Sequence, residues 1–340
     1  MLIATSFPSS FDNMKHISLL IPEGETSLSN IEATFKMFSK VNEALEQAGK
    51  QPLFKVQLVG LSMETTLTNG LFSIKPGLLF KDVEKTDLVV IPAVHGDLKK
   101  VIAANEVFIP WIIKQYKNGA EIVSLCIGAF ILASTGLLRG KSCTTHWLMA
   151  AEFRAMFPDV NLQPYKIITD EGGIYTSGGA YSSLNLILYL VEKFAGREMA
   201  LLSSKIFEID IDRNSQSPFI IFKGQKDHED DVIKKAQAFI EKNYPGRITV
   251  DDLASMLAMS RRHLERRFKH ATSNTVIEYL QRVRVEAAKI NLESMRENVN
   301  EVMYKTGYTD PKAFRTIFKK ITGLSPVEYR SKYNKELKLQ

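Results

Sequence analysis

The sequence predicts two domains of different class: a doubly wound α/β domain with a mainly parallel sheet, then an all-α domain holding two helix-turn-helix units. Three observations carry that expectation. From His16 to about Ala195, short apolar runs alternate with helical stretches, the pattern of strands joined by crossover helices. Near the C-terminus one helix, tight turn, helix pattern recurs at an offset of 50 residues. The charge is also unevenly divided. Residues 1–230 carry 22 Lys and Arg against 25 Asp and Glu, a net of −3, whereas residues 231–340 carry 22 against 13, a net of +9. A chain of 340 residues has ample core for two such domains.

The first 13 residues lack a pattern and are expected to be a disordered extension, with the α/β domain over 14–207. Strands are expected at Ile17–Ile21, Phe54–Leu61, Leu88–Ile91, Ile122–Leu125, Ile167–Thr169 and Ile174–Thr176. Helices are expected near Ser29–Ala48, Asn105–Asn118, Ala129–Thr135, Thr145–Met156 and Ser182–Phe194. Ligands in such sheets bind beyond the strand C-termini.

One strand-to-helix junction there carries chemistry. Ser124-Leu125-Cys126-Ile127-Gly128 leads straight from the apolar Ile122-Val123 into a helix. Small residues on either side of Cys126 permit a sharp, strained turn that lifts the central side chain above the sheet. A helix dipole beneath it would favour the thiolate. The alternative is a buried structural cysteine. His146, between Thr144-Thr145 and Trp147, is placed either to reach Cys126 or to pack at a helix start. Ser177 and Gly178, in the glycine-bearing segment after Tyr175-Thr176, are candidates to line the same pocket or to form a plain turn.

Residues 208–230 are polar, include Pro218 and Gly224, and read as a linker, with Phe219–Phe222 able to pack back as a short strand. The all-α domain is expected over 231–335. Asp230-Asp231 opens its first helix, Val232–Asn243, at the end that favours acids. Seven helices are expected to follow. The longest, near Thr275–Ser294, spaces Val276, Tyr279, Leu280, Val283, Ala287 and Ile290 by three or four, as a central strut would.

The repeat flanks that strut. Leu264–Lys269 aligns with Phe314–Lys319, Thr272 with Thr322, and Val276–Tyr279 with Pro326–Tyr329. Ser260 and Asp310 are the two expected N-caps, and Pro326 after Ser325 opens the last helix. With Leu264 and Phe268 turned inward, Arg261, Arg262, Glu265, Arg266 and Lys269 face out. With Phe314 and Phe318 inward, Lys312, Arg315, Thr316, Lys319 and Lys320 face out. Arg and Lys donate to guanine edges or phosphates, Thr contacts either group or a thymine methyl, and Glu accepts from cytosine. Arg262, Arg266, Lys312 and Arg315 are the best candidates for reading bases. Arg282, Arg284, Lys289 and Lys305 are either phosphate contacts or plain surface charges.

Composition excludes several classes. Two cysteines argue against a disulfide framework and fit a reducing cytoplasm. No Cys/His cluster has metal-ligand spacing, and no cofactor is expected. The longest apolar stretch, Ile122 to Ala133, is too short to span a bilayer.

These residues together resemble a known architecture. Residues 16–200 resemble the class I glutamine amidotransferase-like fold in its ThiJ/PfpI branch, through Ser124–Phe130, Gly136–Gly140, Thr144–Trp147 and Thr176–Ala180. Residues 232–333 resemble an AraC/XylS-type DNA-binding domain, through Ile248–Ala254, Ser260–Phe268, Gly307–Lys319 and Gly323–Pro326. The order of the two is that of GlxA-like transcriptional regulators. The resemblance implies a first domain that senses a small effector or dimerises. It implies a second that binds double-stranded promoter DNA, with a homodimer and RNA polymerase as further partners. It also places Asn30 where relatives with cysteine-based activity carry an acid, and a neutral amide cannot act as a general base. Two other readings stay open: a Cys126-dependent hydrolase or hydratase of a small molecule, and Cys126 as a redox sensor.

Overall fold

A computed structural model of the chain describes residues 14–226, 228–294 and 297–334, so the expected extension at 1–13 lies outside it. The chain forms two compact units that divide between Gln216 and Ser217. That division falls inside the stretch read as a linker. Among its residues, Gln216 is buried in the first unit, while Phe222 packs against the core of the second. Phe219 closes a short 3-10 turn at Ser217–Phe219 rather than starting a strand.

The first unit is a seven-stranded sheet. Its strands are β1 (Lys15–Ile21), β2 (Phe54–Gly60), β3 (Leu78–Leu79), β4 (Leu88–Ile91), β5 (Glu121–Ser124), β6 (Ile168–Glu171) and β7 (Ile174–Ser177). They lie in the order β6-β7-β5-β4-β1-β2-β3. All neighbours run parallel except β6, which pairs antiparallel with β7 across the turn at Gly172-Gly173. Both faces of the central strands are covered, so successive residues feed opposite cores. Val89 and Ile91 pack on one side with Phe108, Ile112, Phe130 and Phe153. Leu88 and Val90 pack on the other with Phe38, Leu186 and Leu190.

The covering helices are α1 (Leu28–Gln47), α2 (Leu98–Ala104), α3 (Phe108–Lys117), α4 (Ala129–Ser134), α5 (Ala150–Met156), α6 (Ser182–Ala195) and α7 (Arg197–Ile206). Two of these, α2 and α7, lie outside the expected set. The helix expected from Asn105 begins at Phe108, because Asn105 closes α2 and its side chain bonds the carbonyls of Glu23 and Val101. The helix expected from Thr145 begins only at Ala150 after a 3-10 turn. The Thr144 and Thr145 hydroxyls instead bond the carbonyls of Lys166 and Cys126, which holds that segment extended.

The second unit holds seven helices among the described residues: α8 (Asp231–Asn243), α9 (Val250–Met256), α10 (Arg261–Thr272), α11 (Val276–Ser294), α12 (Val299–Lys305), α13 (Pro311–Thr322) and α14 (Pro326–Tyr333). The expectation of seven beyond the first is therefore one too many. The helices pack as two cores. Ile233, Ile240, Leu253, Leu264, Phe268 and Tyr279 form one; Val285, Leu292, Val302, Phe314, Phe318 and Tyr329 form the other. α11 belongs to both, and its buried face differs from the one expected. Val276, Tyr279 and Leu280 enter the first core, then Val285, Ala288 and Leu292 enter the second. Ile290 is 56% exposed, because the five-residue step from Leu280 to Val285 turns the buried stripe away from it.

The repeat extends to side-chain devices. Thr272 and Thr322 each donate to the carbonyl four residues back, at 2.8 Å, and bond the chain beyond the helix end. Thr275 with Glu278, and Ser325 with Glu328, form matching reciprocal caps. The Tyr279 ring meets Phe268 edge-on at 5.4 Å, as Tyr329 meets Phe318 at 5.5 Å. Their hydroxyls donate to Glu241 on α8 and Glu293 on α11. For the second helical core, α11 thus takes the place that α8 takes for the first. We expect Phe314→Ala to cost about 3–5 kcal/mol. Urea unfolding of the full chain should then show the helical transition at lower denaturant and the α/β transition unmoved; an unmoved helical transition contradicts the packing described.

Candidate nucleic-acid interface and the Cys126 elbow

The two helix-turn-helix units are α9–α10 and α12–α13. In each, the first helix ends in the same device. Met259 N–H reaches back to Ala254 O at 2.9 Å and Tyr308 N–H to Met303 O at 3.1 Å, with Ala258 and Gly307 in left-handed conformation. The second turn is one residue longer. The Ser260 hydroxyl then caps α10 by accepting from His263 N–H, and the Asp310 carboxylate caps α13 by accepting from Lys312 N–H. These caps fix where each second helix begins, and so which side chains lie on its outer face.

On α10, Arg262 and Arg266 are exposed, with no ion pair or side-chain hydrogen bond among the described residues. Arg261 is tied to Asp251 at 3.1 Å and to Glu265 at 3.3 Å, so two of the expected DNA contacts are paired with each other. Arg267 turns inward onto Asp230, the N-cap of α8, and holds that carboxyl below its usual range against the opposing effect of burial. On α13, Lys312, Arg315, Thr316 and Lys319 are all exposed. Four other basic residues are engaged by partners of their own. Lys289 is 4% exposed and bonds Ile220 O and Glu286, at 2.7 and 2.8 Å. Arg282 bonds Asn274, Lys305 pairs with Glu297, and Arg284 donates to two backbone carbonyls. Lys289 and Arg284 are held by backbone carbonyls inside the fold, whereas the Lys305 side chain is more than half exposed in its pair with Glu297.

At the end of β5, Cys126 adopts a φ of 54°, a strained value for a residue with a side chain. Gly128 makes the turn possible, since a β-carbon there would sit 2.6 Å from both Ile91 O and Pro92 O. The Cys126 N–H donates to Ser177 Oγ at 3.0 Å, and its carbonyl accepts from Thr145 Oγ1 at 2.9 Å. Burial pushes the thiol pKa up, and this outweighs the N–H groups of Ala180 and Ile127 that favour the thiolate. The other cysteine, Cys143, is fully buried and its pKa is pushed up to about 12.

His146 caps the turn before α5 through Nδ1, which accepts from Leu148 N–H at 3.1 Å. Its ring lies against Gly179, where a β-carbon would approach the ring Cδ2 to 2.3 Å. Burial, with repulsion from His95 second, holds the imidazole below its usual pKa. No hydrogen bond joins it to Cys126 among the described residues. The Asn30 amide is occupied as well: its oxygen accepts from Ala93 N–H at 3.0 Å and its nitrogen donates to Ser183 at 3.3 Å.

Gln216 has no role in the sequence reading, yet it closes this site. It is 2% exposed, its Oε1 accepts from Gly179 N–H at 2.8 Å, and its Nε2 reaches the carbonyls of Thr145, Pro164 and Lys166. Gly178 must lack a side chain because a β-carbon there would meet the Gln216 amide at 2.4 Å. Nothing in a polar stretch marks one glutamine as buried. The raised thiol pKa predicts slow alkylation of Cys126 by iodoacetamide at pH 7, accelerating only once the pH rises beyond the usual thiol range. Mass spectrometry should show this, and alkylation at pH 7 faster than that of a free thiol would contradict it. Gln216→Ala leaves Gly179 N–H and its neighbours unpaired. It should cost about 1–3 kcal/mol and speed that alkylation.

The DJ-1/PfpI family matches residues 35–193, and a helix-turn-helix domain family matches residues 253–332. The chain is 23% identical over 328 residues to the HTH-type transcriptional regulator GbdR of Pseudomonas aeruginosa, covering 96% of this chain and 87% of that one. It is 24% identical over 217 residues to the HTH-type transcriptional regulator GlxA of Rhizobium meliloti, covering 62% and 65%. A crystal structure of a putative transcriptional regulator protein from Vibrio parahaemolyticus has the same fold over 57% of this chain and 98% of its own, with TM-score 0.51 and 22% identity. The chain thus carries a DJ-1/PfpI domain followed by an AraC-type helix-turn-helix domain.

Proposed function

We infer that this protein is a sequence-specific DNA-binding transcriptional regulator that reads promoter DNA through α10 and α13. The observation that carries this is the doubled presentation of free basic side chains. Each second helix buries one apolar face and turns Arg262 and Arg266, or Lys312 and Arg315, into solvent without a partner. Side chains held on a capped helix and not engaged elsewhere suit base edges in a major groove. Thr316 and Lys319 flank them on α13, while Glu265 with Arg261 would have to exchange partners to meet a base. The net charge of +9 on residues 231–340 supports attraction to a polyanion.

The α/β unit in this reading binds a small effector beside Cys126 and joins a second copy of the chain, and RNA polymerase is a further partner at the promoter. The likeness to the regulator GbdR over 96% of this chain supports the reading of the protein as a transcriptional regulator. Turnover at Cys126 has less support, since burial disfavours the thiolate and Asn30 offers an occupied amide in the acid's place. The reading places the protein in the cytoplasm, and no helix among the described residues is long and apolar enough to cross a membrane.

Selection of genomic fragments by the purified protein at physiological salt should return a shared motif. Arg266→Ala and Arg315→Ala should each cost about 1–3 kcal/mol and relax the motif at separate positions. Arg261→Ala should cost less, because that guanidinium is already paired. Lys319→Ala should weaken all sequences alike and reduce the salt slope by about 0.9. Tight binding with no preferred sequence would exclude this function.

A further inference from the structure

The two helix-turn-helix cores share α11, but each grips only half of it, and on a different side. A second connection runs beside the helix where the buried face changes. Arg284 lies there, between Leu280 of the first core and Val285 of the second. Its Nε donates to Tyr244 O and its Nη2 to Gly246 O, both at 2.8 Å, in the turn that follows α8. Its guanidinium carbon also lies 5.4 Å from the centre of the Tyr308 ring, in the turn between α12 and α13. That ring packs 5.2 Å from Phe314, an inward residue of α13.

The two turns also touch directly. A β-carbon on Gly307, whose φ is +84°, would fall 2.6 Å from Pro245 O. One side chain from the shared helix is therefore joined to the turn before the first unit and to the turn inside the second. The chemistry suits a fixed joint. The fork of an arginine can hold two carbonyls at once, a cation is favoured at the C-terminal end of α8, and the flat group stacks on an aromatic face.

We propose that Arg284 is a positioning residue that fixes the separation and phase of the two recognition helices, and so the spacing between the two half-sites of the operator. This rests on the DNA reading proposed above. Adding one base pair between half-sites moves the second about 3.4 Å along the duplex and about 35° around it. A pair of helices held at one angle cannot follow that movement, whereas a pair able to rock about α11 follows it in part.

The test uses the full-length protein with duplexes carrying both half-sites at the selected spacing, the same duplexes lengthened or shortened by one and two base pairs, and a single half-site. Wild type should bind one spacing best. Arg284→Ala should shrink the penalty for a changed spacing at least roughly fivefold, with single half-site affinity and its salt slope unchanged. Arg284→Lys, which keeps the charge but lacks the fork, should lie between.

An unchanged spacing penalty in Arg284→Ala overturns the proposal. So does a drop in the half-site salt slope of about 0.9, the signature of a lost phosphate contact. A proportional loss on every duplex with a lowered melting temperature also overturns it, since that means only damage to the fold. A wild-type protein with no preferred sequence removes the DNA reading itself, which is a separate result.

Discussion

The second unit depends on a single helix being buried by two cores at once. α11 supplies Tyr279 to the first and Val285, Ala288 and Leu292 to the second, with a five-residue step between the stripes. Side chains five apart on a helix point in different directions, so the two cores are set on different sides of the same rod. The rest follows from that placement. The long helix ends the first helical core and begins the second, and its Glu293 receives the Tyr329 hydroxyl as Glu241 of α8 receives that of Tyr279. A duplicated unit can share a helix in this way only if the shared helix carries both sets of contacts.

In the α/β unit the comparable constraint is the close approach at the end of β5. Gly128 lies against the carbonyls of Ile91 and Pro92, and Cys126 takes up the strain in its own backbone. The surrounding segments converge to hold it: Ser177 on its N–H, Thr145 on its carbonyl, and Gln216 behind Gly178 and Gly179. The result is a tightly held, polar-lined turn with a neutral thiol. Burial decides the thiol's protonation over the local N–H groups.

Electrostatics divides the basic residues of the second unit in the same manner. Arg267, Arg284 and Lys289 carry charge but are consumed by Asp230, by backbone carbonyls, and by Glu286 with Ile220. A group already desolvated and hydrogen-bonded gains little from a phosphate. Arg262, Arg266, Lys312 and Arg315 keep their donors in water, where a nucleic acid can compete for them.

Much of this was legible from residues alone. Periodicity placed the central strands to within a residue or two. The 50-residue offset located the second helix of each helix-turn-helix unit, because a short helix writes its inward face, its cap and its turn in local sequence. Local patterns missed α2 and α7, overran the start of α5, and put Ile290 in a core. They also missed Gln216 altogether and left Arg284 and Lys289 unsorted. Gln216, Arg284 and Lys289 share one cause: each depends on a partner distant in the chain, such as Gly179 for Gln216 or Tyr244 for Arg284. The sequence by itself determined the two domain classes and the outward basic faces, which are properties of neighbouring residues. Only the tertiary structure decided which charges are free and which are rivets, because that is settled by burial and by hydrogen bonds between segments far apart in sequence.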